Sequence, residues 1–276
     1  MAPFPPFEPH GPRRGGPRLR EIPLRMVLPN LITVMAICAG LSGVRLAFEQ
    51  RFEIAVMMVL LAALLDGVDG RVARMLKASS NFGAQMDSLA DIVNFGVAPA
   101  LVLYAFMLDQ AGAFGWIAAL IYAIACCLRL ARFNVMLDDP NRPAWQGDYF
   151  VGVPAPAGAL LVMLPVYLGF LGIPATPVAA FAASGYVVVI ALLMVSRLPV
   201  YSGKNSGARI RRDIVMPFIL GMVLYVALLF SYTWQTMSAT AIAYLLVLPF
   251  GIRAFMRREA RENASLSPAT DGDLQQ

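Results

Sequence analysis

The chain has 276 residues, 59% of them hydrophobic and only 14% charged, with a mean hydropathy of +0.67 and a formal net charge of +5. Soluble domains carry about 25% charged residues, so this composition argues against a water-soluble domain and for the bilayer. The single histidine, His10, and the cysteines Cys38, Cys126 and Cys127, all three in apolar runs, disfavour histidine triads, histidine metal sites and disulfide frameworks. Any chemistry has to run on carboxylates.

In chain order, residues 1–25 are rich in Pro, Gly and Arg with no apolar run, and read as a flexible basic arm, not a signal peptide. Eight apolar segments follow, near 30–48, 53–75, 88–108, 113–133, 153–171, 176–195, 214–232 and 238–256. Segment 153–171 opens with "VPAPAGA", so an irregular start is expected there. Residues 259–276 are polar and are expected to be a disordered tail, which leaves 26–258 as the membrane domain.

Charge placement tests this layout. With the N-terminus in the cytoplasm, every basic residue except Arg45 and Arg51 falls on the cytoplasmic side. That is the positive-inside pattern, and it predicts an even number of spans. The expected fold is therefore an all-α integral membrane bundle of about eight transmembrane helices with both termini cytoplasmic. A basic face beside anionic lipid explains the net charge without nucleic acid.

The stretch "LLDGVDGRVARMLKASSNFGAQMDSLADIVNFG" (64–96) breaks the apolar pattern with four aspartates. Asp66 and Asp69 are spaced i, i+3, with Gly70 and Ala73 on the same stripe; Asp87 and Asp91 are spaced i, i+4. The polar piece "MLKASSNFG" between them reads as a turn, and folding there joins both pairs at the cytoplasmic ends of the second and third segments. Four carboxylates so close cannot all stay ionised in a low dielectric without cations. Arg74 and Lys77 could supply part of that charge, but oxygen ligands suit Mg²⁺ or Mn²⁺, and two ions could clamp a phosphoryl group. Gly70, Ala73 and Gly83 leave room for a ligand, and Arg74 could meet a phosphate. The competing structural reading is a set of interfacial acids paired with their basic neighbours.

The pattern D-x2-D-G-x2-A-R-x8-G-x3-D-x3-D, here Asp66, Asp69, Gly70, Ala73, Arg74, Gly83, Asp87 and Asp91, resembles the signature of the CDP-alcohol phosphotransferase family without departure in residue or spacing. The resemblance implies an integral-membrane enzyme that moves a substituted phosphate from a CDP-linked lipid to an alcohol and releases CMP. It implies metal binding by Asp66, Asp69 and Asp87, with Asp91 as general base that also approaches the metal, and a nucleotide and pyrophosphate site at the glycines, Ala73 and Arg74. "LPNLITVMAICAGLSGV" (28–44), "LRLARFNV" (128–135) and "YFVGVPAPAGA" (149–159) look like the matching parts of bacterial and archaeal phosphatidylserine synthases. That implies CDP-diacylglycerol and L-serine as substrates and a location in the cytoplasmic membrane. The family resemblance also implies a homodimer.

Several residues outside the aspartate signature carry two readings each. Asn30 and Thr33 could reach the nucleotide, with helix capping the alternative for Asn30. Arg129 and Arg132 could hold the carboxylate of a serine acceptor and Asn134 or an acid its amine, or the arginines could be positive-inside anchors. Asn94, at i+3 from Asp91 and i+7 from Asp87, is expected to face their cavity, where it could contact substrate or bond a neighbouring helix. Arg209, Arg211 and Arg212 could bind a lipid phosphate or pyrophosphate, or simply anionic headgroups. A different acceptor (glycerol 3-phosphate, inositol phosphate or choline) stays open. A cation-coupled transporter is the rival from another class, disfavoured by the one-sided acids and the absence of a repeat.

Overall fold

The computed structural model describes residues 24–76, 80–137, 149–196, 199–201 and 212–266. Helices cover all eight expected segments. They are α1 (Leu24–Phe48), α2 (Phe52–Met75), α3 (Asn81–Asp91), which passes through a π-helical turn (Ile92–Val97) into α4 (Ala98–Phe106), α5 (Ala113–Leu137), α6 (Ala155–Val162), α7 (Leu164–Phe170), α8 (Pro177–Val195), α9 (Arg212–Ser231) and α10 (Thr233–Leu266). The last helix runs past the expected domain boundary at 258.

Among the described residues, four helical stretches are long and apolar enough to cross a membrane: Val27–Phe48, Phe82–Phe106, Ala113–Met136 and Pro177–Val195. Ala155–Phe170 and Val215–Ser231 are shorter apolar helices, and α2 is interrupted by Asp66 and Asp69. Large apolar side chains stand exposed over most of the bundle, including Val178, Phe230 and a nearly continuous run of α9 from Val215 to Leu228. Apolar surface on that scale matches lipid rather than water.

The all-α expectation holds, with one small addition, a two-stranded antiparallel ribbon of β1 (Tyr149–Val151) and β2 (Pro199–Tyr201). It lies where the chain enters α6 and leaves α8, and there backbone groups outside helices still need partners. Just after β1, Gly152 takes φ +79°, and a Cβ there would collide with the backbone carbonyl of Met194. The irregular start expected of the fifth segment is thus real, and a second break follows at Met163, between α6 and α7.

The bundle is organised by α1 packed along α2 and α5 along α8. At the end away from the aspartates, Phe52, Phe106, Phe170 and Trp234 form a chain of ring contacts at 5.0, 5.7 and 4.5 Å that joins α2, α4, α7 and α10. The π-helical turn is accommodated by Tyr122 of α5, whose buried hydroxyl donates to the Phe95 carbonyl at 2.9 Å. Neighbouring side chains commonly satisfy backbone groups that a helix irregularity frees inside a membrane.

The α1–α2 contact depends on a missing side chain. A Cβ on Gly43 would stand 2.9 Å from the Ala55 carbonyl oxygen and 3.2 Å from a Val59 methyl. Gly43→Ala is expected to cost about 1–3 kcal/mol by overpacking, read as a lowered midpoint of thermal unfolding in detergent. An unchanged midpoint would contradict this contact.

Candidate active site at the joined ends of α2 and α3

Asp66 and Asp69 sit on the last turns of α2, where the helical period puts them on one face. The chain turns and α3 starts at Asn81, earlier than its apolar run begins, because Ser80 caps it: the Ser80 Oγ accepts the Gly83 N–H at 3.0 Å. This early start extends α3 far enough to bring Asp87 beside the α2 acids. Lys77 lies outside the described residues.

Oxygens of Asp66, Asp69 and Asp87 lie within 4.8 Å of one another. The Asp91 carboxylate stands within hydrogen-bonding reach of Asp66. Asp69 is 2% exposed, and one of its oxygens accepts the Thr33 hydroxyl at 2.5 Å. The other Asp69 oxygen (Oδ1), like Oδ1 of Asp66, is buried without a partner. Orphaned buried carboxylate oxygens facing one another are costly unless a cation meets them, and an all-oxygen donor set is that of Mg²⁺ or Mn²⁺. The residues present therefore fit a hard divalent metal.

Beside the acids lies a cavity of about 270 Å³ lined by Asn30, Thr33, Asp69, Gly70, Ala73, Arg74, Ser80, Gly83 and Asp87, with Pro29 and Ala84. All six residues expected at a nucleotide are in this wall. A Cβ on Gly70 would meet nothing within 4 Å, so glycine there leaves the cavity open. Gly83 instead permits a close approach: a Cβ would stand 3.0 Å from Asn30 Oδ1. Asn30 lies inside α1, six residues beyond its first described residue, so the capping alternative does not apply. Arg74 is exposed and makes no ion pair among the described residues. Sequence reasoning missed Pro29, Ser80 and Ala84; for Ser80, the polar one, its position three before Gly83, at the edge of an acid-bearing helix, was the available signal.

The remaining candidates separate. Asn94 does not face the aspartate cavity. It sits in the π-helical turn and lines a second cavity, of about 230 Å³, walled by Val56, Val59, Phe95, Ala159 and Met163 among others. Its amide is fully buried, and neither its oxygen nor its nitrogen has a partner. Arg132 donates to the Val195 carbonyl at 2.8 Å, fastening α5 to the end of α8. Asn134, in the last turn of α5, donates to the Ser88 hydroxyl at 3.0 Å and so ties α5 to α3. Arg129 is 7% exposed, lies over the Phe133 ring at 5.8 Å, and has an unpartnered Nε. Arg209 and Arg211 lie outside the described residues; Arg212 begins α9, and its side chain lies outside them too.

The model of the family described as CDP-alcohol phosphatidyltransferase matches residues 26–252. A relative from Mycobacterium leprae named CDP-diacylglycerol–serine O-phosphatidyltransferase is 39% identical, covering 86% of this chain and 78% of the relative. One of the same name from Helicobacter pylori is 33% identical over 71% of this chain and 81% of the relative. An archaetidylserine synthase from Methanothermobacter thermautotrophicus is 30% identical over 65% of this chain and 71% of the relative. The match spans the acid-bearing helices and nearly all of the bundle around them, and the chain belongs to the CDP-alcohol phosphatidyltransferase family.

Proposed function

We propose that this chain transfers the phosphatidyl group of CDP-diacylglycerol to the hydroxyl of L-serine, giving phosphatidylserine and CMP, at the cytoplasmic end of a multi-pass bundle in the cell membrane. The observation that carries this reading is the meeting of Asp66, Asp69, Asp87 and Asp91 beside a cavity whose wall combines small residues with Arg74. The names of the relatives supply the lipid donor and the serine acceptor. The concentration of basic residues on one side supports the cytoplasmic assignment and a count of eight spans. A homodimer formed through the membrane helices is part of the same reading, supported by the family resemblance.

In this reading the cytidine nucleotide and its pyrophosphate occupy the cavity lined by Asn30, Thr33, Gly70, Ala73, Arg74 and Gly83. Asp66, Asp69, Asp87 and Asp91 would hold two divalent cations, Mg²⁺ or Mn²⁺, whose charge offsets that of the pyrophosphate oxygens. Thr33 fixes one Asp69 oxygen and so orients its carboxylate. Asp91 takes the proton of the serine hydroxyl as that oxygen attacks the phosphorus bearing the diacylglycerol. The bond from this phosphorus to the CMP oxygen breaks, and CMP leaves with the electron pair beside Arg74. Positioning and fixed charge carry most of the acceleration in such transfers.

Three outcomes are expected. The purified chain releases CMP from CDP-diacylglycerol when L-serine and Mg²⁺ or Mn²⁺ are present, loses this on chelation and regains it on metal return. Release dependent on another alcohol would move the acceptor assignment, and release with none would overturn the reading. Asp91→Asn, shown to be folded and inserted, lowers kcat by about 100-fold or more; near-normal turnover would contradict the base assignment. Thr33→Val raises the metal concentration needed for half-maximal activity by about tenfold, and an unchanged value would show that Thr33 does not support the metal ligands.

A further inference from the structure

Outside the wall of the nucleotide cavity lies a second group of polar atoms that the bundle buries and leaves unpaired. Arg129 projects from α5 with only 7% of its surface exposed, and its Nε has no hydrogen-bond partner. The Tyr244 hydroxyl of α10 is likewise buried with no partner. The two are close enough to interact electrostatically, and Arg129 is also within such range of Asp91. Among the described residues Arg129 forms no ion pair, with Asp91 or any other acid. A buried guanidinium beside a carboxylate, bonded to neither it nor the backbone, is an arrangement that a ligand's anionic oxygens would complete.

Arg132, one helical turn further along α5, serves as a contrast: its guanidinium is committed to the Val195 carbonyl. The two arginines of "RLARFN" therefore do different work, Arg132 fastening helices and Arg129 left open.

We propose that Arg129 and Tyr244 form the carboxylate-binding end of the acceptor site, holding an α-amino acid with its carboxylate on the guanidinium and the tyrosine hydroxyl and its own hydroxyl at Asp91. This rests on the transfer reading above. The anion is assigned to the acceptor because neither Arg129 nor Tyr244 lines the cavity that suits the nucleotide, whose wall has its own arginine, Arg74. Asp91 is the acid within electrostatic range of Arg129, so a small molecule held by both would present a hydroxyl to one and a carboxylate to the other. The planar fork of arginine with one added hydroxyl donor suits the two oxygens of a carboxylate. Tyr244 lies on the last described helix, more than 150 residues after the aspartate motif, and nothing in its local sequence marks it.

The test uses the full chain in detergent–lipid micelles with CDP-diacylglycerol, comparing L-serine with serinol, which has the amine and a hydroxyl but no carboxylate. Tyr244→Phe is expected to raise KM for serine by about tenfold, the effect of losing one hydrogen bond to a charged group. KM for CDP-diacylglycerol should stay within about twofold of the unsubstituted chain, and the preference for serine over serinol should fall. Arg129→Lys, which keeps the charge and loses the fork, should shift the serine-to-serinol preference in the same direction. Normal serine turnover with an unchanged preference in both variants would overturn the subsite alone. A rise in KM for CDP-diacylglycerol instead would assign these groups to the lipid phosphate and also overturn it. Absence of serine-dependent CMP release from the unsubstituted chain would overturn the transfer reading and this proposal with it.

Discussion

Four carboxylates gathered at the end of an apolar bundle constrain everything around them. Like charges at contact distance in a low-dielectric setting repel strongly, and no described basic side chain forms an ion pair with any of the four. Among the described residues, the side-chain hydrogen bond to Asp69 comes from a neutral hydroxyl, Thr33, which orients an oxygen without neutralising it. The cluster is stable as a group of charges only together with cations. Its position beside a cavity that small residues keep open then determines what those cations can meet.

The bundle is built to hold this arrangement still. Thr33 bonds both the Pro29 carbonyl of its own helix, at 3.1 Å, and Asp69 of α2. Asn134 and Ser88 link α5 to α3, and Arg132 links α5 to α8. Each of these contacts lies toward the acid-bearing end, while the aromatic chain from Phe52 to Trp234 closes the other. Polar contacts near the acids and ring contacts away from them divide the work between orientation and packing.

Much of the site is legible in the sequence alone. The i, i+3 and i, i+4 spacings of the aspartates set which helix face they share, and a polar turn between two helices leaves few ways to fold them. The family resemblance implied a nucleotide site at Gly70, Ala73, Arg74 and Gly83, with Asn30 and Thr33 as further candidates, and all six line one cavity. What was not legible depended on tertiary structure. Asn94 was expected to face the acids by ideal helical period, but the π-helical turn from Ile92 to Val97 breaks that period, and it faces another cavity. Local sequence cannot say which of Arg129 and Arg132 finds a backbone carbonyl, since that carbonyl belongs to Val195, 63 residues later. The β1–β2 ribbon escaped for a similar reason: three-residue strands flanked by helices carry no periodic signal.

The central claim is that the aspartate cluster is a divalent-metal site, and direct binding tests it without reference to turnover. Electron paramagnetic resonance of Mn²⁺ titrated into the purified chain measures bound against free ion. Saturable binding is predicted for the unsubstituted chain, with marked loss of affinity in Asp69→Asn, the most deeply buried of the candidate ligands. No saturable binding, or binding that Asp69→Asn leaves unchanged, would contradict the account.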